Sequence, residues 1–100
     1  MKQPYTQKEL NDAAEVIRAI AHPLRLRIIR FIDKNRKINV NKIYNKLKLE
    51  QSTTSQHLRI LREAELVNAD RDGKFIYYSL NYERLKQLSN SVDDFFAKAK

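Results

Sequence analysis

The stretch Leu49-Glu50-Gln51-Ser52-Thr53-Thr54-Ser55-Gln56-His57-Leu58-Arg59-Ile60-Leu61-Arg62-Glu63-Ala64-Glu65-Leu66-Val67 decides how the chain is read. Its pattern predicts a short turn, a helix over 52–63 and the first residues of a strand. Ser52 suits the N-cap, because its hydroxyl can accept a backbone N–H from the first turn. Thr54, Leu58 and Leu61 follow at helical spacing and make one apolar face. The other side carries Thr53, Gln56, Arg59 and Glu63. Only small or amide side chains stand at the helix start (Gln51, Ser52, Thr53, Ser55, Gln56), so it can approach another surface closely. Amides and hydroxyls suit base edges in a major groove, where each base pair shows a distinct donor–acceptor pattern. Taken alone, the stretch reads as an ordinary amphipathic surface helix. Its neighbours change that.

Upstream, Asn39 can cap a helix over 40–48 with Val40, Ile43, Tyr44 and Leu47 inward and Asn41, Lys42, Asn45 and Lys46 outward. Helix, tight turn, helix is the helix-turn-helix pattern. Residues 35–38 read as a connector. Downstream, the periodicity changes: Val67, Ala69 and Arg71 alternate with polar residues. Asp72-Gly73 follows, a strong hairpin signal, with the only glycine of the chain where positive φ is needed. The return strand is 75–80, with Ile76, Tyr78 and Leu80 on one face. A hairpin directly after such a helix, with Arg71 and Lys74 at its tip, is a wing that can lie along phosphates or enter a minor groove.

The flanks are helical. Thr6 and Glu9 form a capping box ahead of a first helix over 7–21. Leu10, Ala13, Ala14, Ile17, Ile20 and Ala21 make its apolar stripe, with Val16 beside it. His22-Pro23 breaks that helix, and Pro23 suits the first position of a second one over 23–34. There Leu24, Ile28, Phe31 and Ile32 share one side and Arg27, Arg30 and Lys34 another. That charge row is either a solvated face or a phosphate contact. Asn81 can cap a last helix over 82–97, whose stripe is Leu85, Leu88, Val92, Phe95 and Phe96. The expected fold class is mainly α with a small two-stranded β-hairpin, one domain over 1–100. The first and last helices are expected to form a dimer interface through Leu10, Ile17, Leu85, Leu88, Val92, Phe95 and Phe96. The alternative is that the last helix folds onto its own domain.

Composition narrows the function classes. The formal charge is +8, unevenly spread: residues 1–50 hold 12 Lys/Arg and 5 Asp/Glu, a net of +7, and residues 51–100 a net of +1. From Leu24 to Lys48 nine basic residues meet one acid, Asp33. Clustered charge of this kind implies a polyanionic partner, nucleic acid before a membrane. No apolar run approaches the roughly 20 residues of a membrane span, and Met1 to Leu10 has no signal-peptide core, so a cytoplasmic location is expected. The absence of cysteine excludes disulfides, thiolate metal sites and cysteine nucleophiles.

The combined pattern resembles the ArsR/SmtB family of bacterial winged-helix transcriptional regulators. The residues that carry the resemblance are Ala19-Ile20-Ala21-His22-Pro23-Leu24-Arg25-Leu26-Arg27-Ile28-Ile29, then Gln51 to Val67, then Arg71-Asp72-Gly73-Lys74 with Tyr77-Tyr78-Ser79-Leu80. The resemblance implies a homodimeric repressor on an imperfect palindrome. It implies DNA contacts from Ser52, Thr53, Ser55, Gln56 and Arg59 on the recognition helix and from Arg71 and Lys74 on the wing; Gln51, at the helix start, joins this candidate set. The chain departs from the family's metal-sensing patterns. One site would fall on Asn39-Val40-Asn41, and asparagine is a poor soft-metal ligand. The other would fall on Tyr82, Arg84, Phe95 and Lys98. No metal and no cofactor are therefore expected, and the effector is open. Lys48 stands where many members have glycine, which implies either left-handed strain in that turn or a slightly different turn.

No enzyme is expected. The two histidines, His22 and His57, lie far apart in sequence, and His57 beside Leu58 and Leu61 reads as structural. Asp93 and Asp94 are adjacent and diverge on a helix. Two other functions compete with a sequence-specific regulator: a non-specific or architectural nucleic-acid binder, and a winged-helix module that binds protein.

Overall fold

The computed structural model describes residues 6–88. Helix α1 (Gln7–Ile20) opens on the expected capping box: Glu9 N–H donates to Thr6 Oγ1 at 3.1 Å, and Thr6 N–H donates to Glu9 Oε1 at 3.3 Å. Val16 and Ala19 are buried along it and Ile20 of the expected stripe packs against the core, while Ala13, Ile17 and Ala21 of that stripe are exposed. Ile17 is 61% exposed. The apolar surface of α1 is thus wider than its own core covers.

Helix α2 (Pro23–Asn35) has His22 as N-cap, its Nδ1 accepting from Leu24 N–H at 3.1 Å, and Pro23 at the start. Ile28, Ile29 and Ile32 are buried along it. The expected connector contains a strand instead. Strand β1 (Lys37–Asn39) pairs antiparallel with β3 (Phe75–Leu80), Ile38 opposite Tyr78. Strand β2 (Val67–Asp72) flanks β3 on the other side, giving a three-stranded sheet of order β1-β3-β2 rather than a two-stranded hairpin. Three residues are too few to show alternation, so only Ile38, buried at 6% exposure, hints at the strand.

Helix α3 (Val40–Lys46) is capped by Asn39, whose Oδ1 accepts from Lys42 N–H at 2.9 Å. Helix α4 (Gln51–Glu63) begins earlier than expected: Glu50 is its N-cap, with no side-chain cap bond, and Ser52 lies inside the first turn. The Glu50 carbonyl draws the start back, since it accepts both Thr54 N–H (3.0 Å) and Thr54 Oγ1–H (2.9 Å). That second bond also satisfies the buried hydroxyl of Thr54, which would otherwise be costly in the core.

Both helices of the helix-turn-helix end alike. Leu49 N–H reaches Tyr44 O and Lys48 N–H reaches Asn45 O; Leu66 N–H reaches Leu61 O and Glu65 N–H reaches Arg62 O. These are paired Schellman closures, with Lys48 (φ 56°) and Glu65 (φ 62°) in the left-handed position. The sequence pointed to Lys48 but not to Glu65.

The hairpin loop is Gly73–Lys74, since Asp72 pairs with Phe75. Gly73 has φ +64° and Lys74 is not left-handed. Glycine therefore occupies the first central position, as in a type II′ turn, not the second as an Asp-Gly reading implies.

Helix α5 (Tyr82–Leu88) starts at Asn81, whose Oδ1 accepts from Arg84 N–H at 3.1 Å. Leu85 is only 1% exposed. Expected at a dimer interface, it belongs to the protomer's own core, where a partner has nothing to cover. Val92, Phe95 and Phe96 lie outside the described residues, as does the side chain of Leu88. The core joins Ile28, Ile29 and Ile32 of α2 to Ile43, Leu58 and Leu61 of the helix-turn-helix and to Leu66, Leu80 and Leu85. Each fully buried Leu or Ile contributes roughly 1.5–3 kcal/mol, so the core anchors α4 by its inner face and leaves its outer face free.

Candidate nucleic-acid interface

Helix α4 divides sharply. Thr54, Leu58 and Leu61 are buried, while Gln51, Ser52, Ser55, Gln56 and Arg59 are exposed. Thr53 is half-buried at the edge of that stripe. Ser52, Ser55, Gln56 and Arg59 line a shallow surface depression of about 390 Å³. At 1.5 Å per residue they span roughly 10 Å of helix axis. A major groove about 12 Å wide admits a helix presenting such a stripe. The stripe offers two hydroxyls, an amide and a guanidinium, so it can both donate and accept.

The chain ahead of α4 carries exposed positive charge. Of the nine basic residues between Leu24 and Lys48, all but Arg25 are exposed. Arg27 is also structural: its Nη2 donates to Leu47 O at 3.3 Å, tying α2 to the end of α3.

The wing places Arg71 and Lys74 in solvent near the hairpin tip. Lys74 Nζ stands 5.6 Å from the Phe75 ring centroid, and Lys37 Nζ stands 5.7 Å from that of Tyr77. Register separates the charges. Arg71 pairs with Ile76, whereas Asp70 and Asp72 pair with Tyr77 and Phe75. The two aspartates therefore share the Phe75–Tyr77 face, and Arg71 takes the other.

One constellation escaped the sequence reading. His22 and His57 meet, ring centroids 4.7 Å apart. Arg25 Nε donates to His57 Nδ1 at 3.1 Å, and Arg25 Nη1 donates to the Arg18 and Ala19 carbonyls at 3.1 and 3.3 Å. Burial lowers the His57 pKa from its ordinary value, and the neighbouring His22 and Arg25 lower it further. A 35-residue separation hides this pairing from any local pattern.

Two ties fasten α5. Tyr82 donates its hydroxyl to Asp33 Oδ1 at 2.6 Å, and Arg84 Nη2 donates to Asp12 Oδ1 at 2.7 Å. Burial and the Asp33 bond raise the Tyr82 pKa. The last-helix positions considered for metal, Tyr82 and Arg84, are thus engaged in binding α2 and α1. Among the described residues no three His, Asp or Glu side chains form a metal-holding group, and no helix is long and apolar enough to cross a membrane.

Residues 22–69 match the family model described as "Bacterial regulatory protein, arsR family". The chain is 42% identical over 79 residues to the transcriptional repressor PagR of Bacillus anthracis, covering 79% of each. The chain belongs to the arsR family of bacterial regulatory proteins. The PagR crystal structure superposes with a TM-score of 0.71 at 38% identity, over 83% of this chain and 94% of that one. A homodimeric winged helix-turn-helix DNA-binding domain from Mycobacterium bovis, solved by NMR, gives a TM-score of 0.75 at 27% identity, over 98% and 85%. The fold is that of a winged helix-turn-helix regulator of transcription. The arsR-family match runs from the N-cap of α2 into β2, so it contains both histidines, the helix-turn-helix and the outer stripe of α4.

Proposed function

We propose that the chain is a homodimeric, sequence-specific repressor that reads an imperfect palindrome in double-stranded DNA. One observation carries this: α4 is locked into the core by Thr54, Leu58 and Leu61 while Ser52, Ser55, Gln56 and Arg59 stand together in solvent. In this assignment Gln51, Ser52, Ser55, Gln56 and Arg59 read base edges, Thr53 contributes from the edge of the stripe, and Arg71 and Lys74 of the wing hold the backbone. Repression follows the example of PagR. Dimerisation follows that of the Mycobacterium bovis domain and is supported by the exposed Ile17. Such a protein works in the cytoplasm and performs no catalysis.

The test is fluorescence anisotropy with DNA from upstream of the protein's own gene, against a scrambled duplex of equal length at near-physiological salt. A preference of about a thousandfold or more is expected of a sequence-specific regulator. Equal, salt-sensitive binding to both duplexes would instead favour the non-specific binder, for which the basic surface from α2 to α3 suffices.

A further inference from the structure

We propose that Arg25 and His57 are positioning residues for DNA readout: their hydrogen bond fixes the angle of α4 against the corner between α1 and α2. This rests on α4 being the reading helix.

The guanidinium spans three elements. From α2 its Nη1 takes two carbonyls in the last turn of α1, Arg18 and Ala19, and its Nε takes His57 of α4. Carbonyls at a helix end lack intrahelical partners, so α1 supplies a fixed anchor. The planar fork of arginine then sets direction as well as distance. His57 follows Gln56 and precedes Arg59 by two positions. Any rotation of α4 that moves His57 also moves the reading stripe. The hydrophobic contacts of Leu58 and Leu61 are non-directional; the Arg25 bond is the directional one on this flank.

The bond dictates a protonation state. Guanidinium only donates, so Nδ1 of His57 must hold its lone pair and the proton must sit on Nε2. The ring is neutral. A second proton would convert Nδ1 into a donor facing a donor. It would also place a cation beside Arg25 and 4.7 Å from the His22 ring. The charges acting on His57 are His22, from the α1–α2 corner, and Arg25, from α2. Both are basic, so neither compensates the new charge. The same tautomer makes the histidine pair a poor metal site, because His22 Nδ1 also accepts a bond, from Leu24 N–H. Acid should therefore release α4 from its corner. Affinity for DNA in general rises with the added charge, so the quantity that reports positioning is the preference for one sequence over another.

The experiment measures that preference, upstream duplex against scrambled, at about pH 8 and about pH 5, the second set well below an ordinary histidine because burial, His22 and Arg25 hold the folded His57 below that value. It compares wild type, Arg25→Lys and His57→Asn. Asparagine offers Oδ1 near the position of Nδ1 and does not titrate. The wild-type preference is expected to fall at least ~5-fold in acid. His57→Asn should keep its preference at both pH values, and Arg25→Lys should have the lower preference at both. A wild-type ratio unchanged by acid, or an Arg25→Lys ratio equal to wild type, overturns the proposal. Amide-exchange protection across 53–61 gives a second readout without DNA. It should drop in acid for wild type and hold for His57→Asn. Should wild type show no preference at pH 8, the repressor reading fails, and unchanged exchange protection would overturn the positioning role independently.

Discussion

Gln56 stands fully outside the core, on the stripe with Ser52, Ser55 and Arg59, and that exposure separates two effects that mutations usually mix. Truncating it removes no packing, so Gln56→Ala should leave unfolding free energy within about 0.5 kcal/mol of wild type. The same change should cost roughly 1–3 kcal/mol of specific binding and relax base preference at one position per half-site. Competition binding with single-base operator variants checks this. If upstream and scrambled affinities fall equally, Gln56 is not a reader. His57, half-buried one position later, behaves in the opposite way. Its folded pKa lies below the ordinary 6.5 because burial, His22 and Arg25 disfavour the cation. The unfolded ring takes up its proton near 6.5, while the folded ring resists. The stabilisation is thus fully present above 6.5 and is lost as pH falls through the lower folded value. Thermal unfolding across that window should show a decline in Tm that His57→Asn reduces. A decline of equal size in the variant would assign the acid sensitivity to other groups.

At the scale of elements, the helix-turn-helix is held by two Schellman closures that use the wrong residues for their backbone. Lys48 and Glu65 both sit at positive φ near 60°, where a Cβ crowds the following carbonyl at a cost of roughly 1–2 kcal/mol. Glycine relieves that crowding and gives part of it back as unfolded-chain entropy. Lys48→Gly and Glu65→Gly should each stabilise by about 0.5–1 kcal/mol in urea unfolding. A destabilised Glu65→Gly would mean that its side chain contributes more than its backbone costs. These closures also show what was legible. Lys48 was readable because the family resemblance sets glycine at its position in the turn. Glu65 was not: the pattern placed the end of the helix at 63, but the left-handed position two residues on is usually glycine, and a glutamate there gives no such signal. The caps at Thr6, Asn39 and Asn81 were legible because their side chains make short-range bonds to residues three positions on. The start of α4 was misread by the same logic: a backbone carbonyl, that of Glu50, determines it rather than a side-chain cap. Strand β1 and the His22–His57 contact are products of long-range pairing, which no period of two or 3.6 encodes. The outer stripe of α4, by contrast, is written in that period, and four of its candidate readers line one depression.

At the scale of the whole molecule, charge and assembly decide how one reading helix becomes a repressor. Excess basic charge lies upstream of α4, with nine basic residues and one acid from Leu24 to Lys48, while Asp70 and Asp72 offset Arg71 and Lys74 on the wing. Salt sensitivity should therefore track the α2–α3 surface more than the hairpin. A single reader recognises one half-site, and discrimination against a genome needs two on a two-fold axis. The described residues offer one apolar face suited to that axis: α1, where Ile17 is 61% exposed and Leu10 half-buried one face-length away. An isolated exposed isoleucine is unremarkable on any surface, so a paired substitution is needed to give it meaning. Ile17→Asp places a charge in water and should leave the fold and Tm near wild type. Leu85→Asp, at 1% exposure, puts a carboxylate into the core and should unfold the protomer. If α1 is the interface, Ile17→Asp sediments as a folded monomer and loses most of its preference for the upstream duplex, while each half keeps weak, salt-sensitive affinity for any sequence. Analytical ultracentrifugation with circular dichroism on the same samples decides it. A folded dimer that survives Ile17→Asp would move the two-fold axis off this face of α1.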